Sequence, residues 1–166
     1  MKHFFKVISL VSMLLSISAC GMGERQNVRQ EAKQARVLWE SQEIRDYNMT
    51  IETLCPDWLA FPTDLVIRDG KLVDAYVPGT TQRMTYYHEG NGPEVSDRDV
   101  QECYKTVEQL FELLEQITSE RPYPHDVYSE FDETYGYPSL ISTDHSRWVE
   151  DDEYLYEVTR FEVISP

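Results

Sequence analysis

The side chains of this 166-residue chain that could carry covalent or metal chemistry are few and scattered. Cysteine stands at positions 20, 55 and 103, and beyond the first few residues histidine stands only at 88, 125 and 145. Cys55 or Cys103 beside one of those imidazoles would make a nucleophile and its base. Neither a G-x-S-x-G elbow nor a known cysteine–histidine signature surrounds them, however. A zinc site needs ligands at fixed short spacing, and H-E-x-x-H and C-x-x-C are both absent. Glu150-Asp151-Asp152-Glu153 is an acidic run without the alternating ligands and closing glutamate that wrap calcium, so it reads as a solvated turn. Asp132 and Glu133, beside Tyr135-Gly136-Tyr137, are two carboxylates of the kind glycosidases use, but adjacency does not set the separation that chemistry requires. No glycine-rich loop opens a helix to cradle a phosphate. The expectation is a chain without catalytic residues, metal or cofactor.

Tyrosine is the residue type left with functional promise. There are 11, eight of them grouped at Tyr86-Tyr87, from Tyr123 to Tyr137, and at Tyr154 and Tyr156. A phenol joins a large apolar ring to a hydroxyl at low entropic cost, which suits partner contacts, although aromatic residues also suit strands. Tyr86, Tyr87, Tyr135 and Tyr137 are the candidate binding surface. Charge narrows the partner: 30 acidic against 15 basic residues, net −15, is the wrong sign for neutralising nucleic-acid phosphates. It is equally wrong for docking on anionic lipid through overall charge.

The first twenty residues are an address rather than part of the fold. Lys2 and Lys6 precede an uncharged apolar run from Val7 to Ala19, too short for the ~20 residues that span a bilayer. It ends Ile17-Ser18-Ala19-Cys20, followed by Gly21, and this resembles the lipobox of bacterial lipoproteins. The resemblance implies a signal peptide at 1–19, a lipidated N-terminus and tether at 20–30, and a single domain at 31–166. It further implies that Cys20 carries acyl chains holding the protein in a membrane. Gly21 is not the aspartate that often retains such proteins in the inner membrane. The expected place is therefore the outer membrane, facing the periplasm, of a Gram-negative cell. Removing 1–19 takes away two lysines and no acid, so the mature charge is −17. Two cysteines then remain in the folded part, and in an oxidising compartment Cys55 and Cys103 read either as a disulfide or as two separate buried thiols.

The elements that must position these residues follow from periodicity. Val28, Ala32, Ala35, Leu38 and Trp39 recur as one helical face, ending near Ile44. Tyr47 to Leu54 alternates as a strand with Tyr47, Met49, Ile51 and Thr53 on one side. Asp69-Gly70 between Leu65–Ile67 and Leu72–Val77 predicts a type I′ hairpin, and Pro78 to Asp99 a long loop. Thr106-x-x-Gln109 is a capping-box pattern opening a second helix with Val107, Leu110, Phe111, Leu114 and Ile117 inward, stopped by Pro122 and Pro124. Three strands follow at Val127–Phe131, Leu140–Thr143 and Glu153–Ile164. The last needs a bulge near Thr159–Arg160 to reconcile the phase of Tyr154, Tyr156 and Val158 with that of Phe161 and Val163. The order helix–strand–hairpin thus occurs twice. An α+β fold is expected, a mainly antiparallel sheet of five or six strands with two helices on one face.

Several of these residues together resemble a known family. Trp39 before Asp46-Tyr47, Cys55 ending the first strand, the Val66-Ile67-Arg68-Asp69-Gly70-Lys71-Leu72-Val73 hairpin, Thr106 to Phe111, and Tyr135-Gly136-Tyr137-Pro138 before Leu140-Ile141 occur in that order. The set resembles a family of small bacterial envelope lipoproteins classed only as a domain of unknown function, over roughly Glu31 to Val163. The resemblance implies no activity and no catalytic residues. It leaves as the expected role a binding module that meets another envelope protein or peptide. A small-ligand or cation module and a glycan hydrolase stand as alternatives.

Overall fold

The computed structural model describes residues 20–54, 60–83, 103–120, 124, 126–144 and 154–164. The elements run α1 (Cys20–Ser41), β1 (Tyr47–Leu54), β2 (Ala60–Arg68), β3 (Lys71–Tyr76), α2 (Val107–Ser119), β4 (Asp126–Phe131), β5 (Pro138–Asp144) and β6 (Tyr154–Val163). All six strands form one antiparallel sheet in the order β3-β2-β1-β6-β5-β4. This is the expected α+β class, with both helices packed together against one face.

β1 holds the middle because it is the most regularly two-faced segment. Tyr47, Met49, Ile51 and Thr53 are buried beneath the helices, and the residues between them are half-buried on the open face. Its inward residues pair across to Ile67, Leu65 and Thr63 of β2, which are buried too. On its other side β1 pairs with β6, where the register passes from Thr50↔Arg160 to Ile51↔Val158 and skips Thr159. That extra residue is the bulge the sequence requires, and it lets Tyr156, Val158, Phe161 and Val163 serve a single strand. The β2–β3 hairpin turns on Asp69 and Gly70 at φ 50° and 70°, the paired positive values of a type I′ turn. Asp46 fastens it: its Oδ1 accepts the Asp69 N–H at 2.7 Å, and the Gly70 N–H donates to the Arg45 carbonyl at 2.9 Å.

β2 begins five residues earlier than the apolar run Leu65–Ile67 indicates, because Pro62 reads as a break. β3 pairs only with Asp64–Arg68, so at Pro62 the strand has β1 on one side and, among the described residues, no ladder on the other. The N–H that proline lacks is not needed there. The first helix also departs from expectation. It already includes Cys20, so the expected tether at 20–30 is helical. Glu24, Arg25 and Gln26 are good helix formers, and no proline interrupts 20–41. The repeat survives as an order of elements but not of positions. β1, the first strand of one half, is central, whereas β4, the first strand of the other, lies at an edge.

α2 starts as its sequence specifies. The Gln109 N–H donates to Thr106 Oγ1 and the Thr106 N–H to Gln109 Oε1, closing the capping box at 3.4 and 2.8 Å. The Val107 N–H donates to the hydroxyl of buried Tyr47 at 2.9 Å, so β1 caps the helix from below. Val107, Leu110, Phe111, Leu114 and Ile117 all face the core.

Candidate functional site

The residues whose chemistry is most reactive are committed elsewhere or lie outside the described residues. Cys103 is buried and held in a disulfide, so it offers no thiolate. Cys55, the three histidines, Tyr86, Tyr87 and the acidic run 150–153 lie outside the described residues. Among the described residues no group of three or more histidine, cysteine, aspartate or glutamate side chains gathers as a metal site would need. Asp132 is spent on a turn: its Oδ1 accepts the Thr134 and Tyr135 N–H groups at 3.0 and 2.7 Å, and its carbonyl accepts the Gly136 N–H at 2.9 Å. An aspartate whose oxygen already serves two backbone donors is placed as a turn former.

That turn explains the Tyr-Gly-Tyr-Pro segment. Gly136 has φ +82°, and a Cβ built on it would sit 2.4 Å from the Ala35 carbonyl and 3.0 Å from both Leu38 Cβ and the Trp39 nitrogen. The β4–β5 turn therefore presses its backbone directly on the C-terminal half of α1. On either side of the glycine, Tyr137 stacks on Phe161 at 4.4 Å and Tyr135 leans on it at 5.6 Å. Trp39 and Tyr47 close the group, 5.9 and 5.1 Å from the same ring. Tyr137 is 7% exposed, so it belongs to the core rather than to a binding surface. Of the described residues of that candidate surface, half-buried Tyr135 still reaches water. Two tyrosines at a turn resemble a surface patch in sequence because their target, Phe161, lies on β6 and comes near through the pairing of β5 with β6.

Electrostatics in this cluster hold rather than react. Burial, with the charge of Glu108 next, drives the Tyr47 phenol far above its ordinary value. Burial first, then the charge of Asp132, pushes Tyr137 up to about 12. Trp39 Nε1 donates to Glu108 Oε1 at 3.3 Å, tying α1 to the first turn of α2. A neutral buried phenol beside a half-buried carboxylate has no exposed reacting partner here, and this arrangement reads as structural.

Among the described residues a concavity lies on the helical layer. α1 and α2 run past each other with Arg29 opposite Thr118 and Arg36 opposite Phe111, leaving a groove of about 400 Å³ between them. Ala32, Phe111 and Leu114 form its floor, and Arg29, Lys33 and Arg36 stand along the α1 wall. Its signal in the sequence is three basic residues at i, i+4 and i+7 in an acidic chain, set among the apolar positions of the same helix. A smaller hollow of about 170 Å³ lies on the open sheet face, where Thr50 donates to Asp64 at 2.6 Å and the Gly79 N–H donates to the same side chain at 3.1 Å. Those bonds satisfy the carboxylate within the protein, so the hollow has no uncommitted charge at its centre.

Among the described residues no helix is long and apolar enough to cross a membrane. The chain belongs to a family of unknown function, DUF6174, whose model matches residues 31–163. No curated protein and no solved structure matches it.

Proposed function

We propose that this DUF6174 member is a lipid-anchored, non-catalytic binding module of the bacterial cell envelope, held by Cys20 in the outer membrane and facing the periplasm. The lipobox-like end of its leader supports the anchor, and the commitment of Cys103 and Asp132 to structure supports a non-catalytic reading. The observation that carries the proposal is the course of α1. The helix runs from Cys20 into the core at Val28 and then forms one wall of the groove. At 1.5 Å per residue, Val28 lies about 12 Å along the axis from the anchored cysteine. A helix rather than a flexible tether would keep the domain, and whatever it binds, close to the bilayer. Cys55 is the proposed partner of Cys103. That bridge would close a loop of about 48 residues, stabilising on the order of 3–4 kcal/mol in the chain-entropy model.

Radiolabelled fatty acid tests the anchor in growing cells. Label on the wild type and none on Cys20→Ala is the expected result. An unlabelled wild type, or label that survives the substitution, overturns it. For what is bound, the volume of the groove favours a small ligand as a second reading beside an envelope protein or peptide. Pockets of roughly 300–1,000 Å³ are the usual size for such ligands.

A further inference from the structure

We infer that the groove between α1 and α2 is a site for an anionic amphiphile, a single phosphate or carboxylate head on a short hydrocarbon chain. The inference rests on the small-ligand reading of the groove and gives that ligand its chemistry. Three properties point to it.

The first is charge against background. On a chain with twice as many acids as bases, Arg29, Lys33 and Arg36 stand on one wall of one cavity. At helical rise they span about 10 Å, the scale of one small molecule rather than of a polymer.

The second is that the three cations are not equally occupied. Arg36 is neutralised at its end of the groove, with Glu40 at 3.0 Å, Glu115 at 3.9 Å and the Phe111 ring 5.8 Å beneath its guanidinium. At the other end, among the described residues, Arg29 donates only through Nε, to Thr118 Oγ1 at 3.3 Å. Lys33 has no ion-pair partner among the described residues. The groove is thus polarised, with uncommitted positive charge at the Arg29–Lys33 end and none at the Arg36 end. An anionic head would be held where the charge is free, by donors that form the stronger charge-assisted hydrogen bonds.

The third is the floor. Between the two ends Ala32 is the half-buried apolar residue, over the nearly covered Leu114 and Phe111, so a short chain from the head would lie on Ala32 and the methylene stems of the basic side chains. A bare inorganic anion would leave that floor unused, and a neutral amphiphile would leave Arg29 and Lys33 unanswered. The Arg29 end is also the end of α1 nearer Cys20, so the head would lie on the anchored side of the domain.

The test is calorimetric titration of the full lipidated protein in nanodiscs of zwitterionic lipid, with empty nanodiscs as the reference. Octyl phosphate and octanoate are the charged probes, and octanol and inorganic phosphate are the half-probes. Binding of a charged amphiphile, with the half-probes at least about tenfold weaker, is expected. Arg29→Ala with Lys33→Ala should weaken that binding by about tenfold or more without changing the thermal midpoint, since both side chains are exposed. A preference for octyl phosphate marks a phosphoryl head as the natural class, and a preference for octanoate marks a fatty-acid type. Heat no greater than that of empty nanodiscs, equal binding of octanol, or unchanged binding in the double variant overturns the inference. Fatty-acid labelling of Cys20 is independent of all these results, so failure of the anchor and failure of the groove are separately visible.

Discussion

Replacing Gly136 by alanine isolates the contact on which the turn and α1 depend. Two terms add. At φ +82° an L-residue is strained by about 1–2 kcal/mol whatever surrounds it. The new methyl would also meet a backbone carbonyl at 2.4 Å, with Leu38 Cβ and the Trp39 nitrogen at 3.0 Å. A carbonyl inside a helix cannot rotate aside as a side chain can, so the turn must lift off α1, an overpacking cost of about 1–3 kcal/mol. The expected loss is about 3–4 kcal/mol, and it should loosen the stack of Tyr137 on Phe161. Gly70→Ala is the matched control: φ is +70°, and no atom lies within 4 Å of its built Cβ. Only the backbone term applies there, about 1–2 kcal/mol. In urea, with a slope of about 2 kcal/mol per molar, the midpoint should fall by about 1.5–2 M for Gly136→Ala and by less than about 1 M for Gly70→Ala. If the two variants lose equal stability, the turn does not press on α1 and the structural reading of Tyr-Gly-Tyr-Pro is wrong.

Other outcomes follow from the same structure. Tyr47→Phe removes the acceptor of the Val107 N–H while leaving the ring packed, so it should cost about 1–3 kcal/mol in chemical denaturation, with near-normal aromatic circular dichroism from Trp39. Thr106→Ala opens the capping box and should cost about 1 kcal/mol in the same assay, with Thr106→Ser largely restoring it. On the alkaline side, the Tyr47 and Tyr137 phenols have folded values raised above an unfolded value near 10. Their contribution is complete below pH 10 and is lost as the pH climbs from there through the folded values. Phenolate absorbance should therefore show these two lagging behind exposed tyrosines and appearing only with unfolding. On the acid side, burial works to raise Asp74 but is outweighed by hydrogen bonds from Tyr76, Arg83 and the Ala75 N–H, leaving it below its ordinary 3.8. Its contribution is present above that value and lost as the pH falls below it, so Asp74→Asn should flatten the acid limb of a stability profile there, while also removing the hydrogen bond that raises the Tyr76 phenol.

What was legible in the sequence is what local rules determine. Tyr47–Leu54 alternates so regularly that its bounds match the strand, and Asp69-Gly70 admits little besides a type I′ turn. Thr106 and Gln109 announce the helix they cap, and the phase change around Thr159 requires the bulge observed. What was hidden depends on neighbours distant in the chain. Tyr137 is core because β6 brings Phe161 beneath it, and nothing near position 137 encodes that meeting. Pro62 is tolerated in a strand because β3 stops short of it. The groove exists because α1 and α2, more than sixty residues apart, pack side by side with Arg36 over Phe111. In the sequence its cations are merely the polar side of an amphipathic helix. The helical state of residues 21–27 was hidden for a different reason: two glycines in a polar stretch read as a tether, yet a helix nucleated by the packed turns beyond Val28 extends back through them.

The claim on which the account turns is that Cys20 carries a lipid. The intact mass of the protein extracted from isolated membranes tests this in one measurement. The account predicts a chain that starts at Cys20, heavier by a diacylglyceryl group and an N-acyl chain, and lighter by two hydrogens for a Cys55–Cys103 bridge. A mass equal to the whole 166-residue chain, or to a chain cut elsewhere and carrying no lipid, would contradict it.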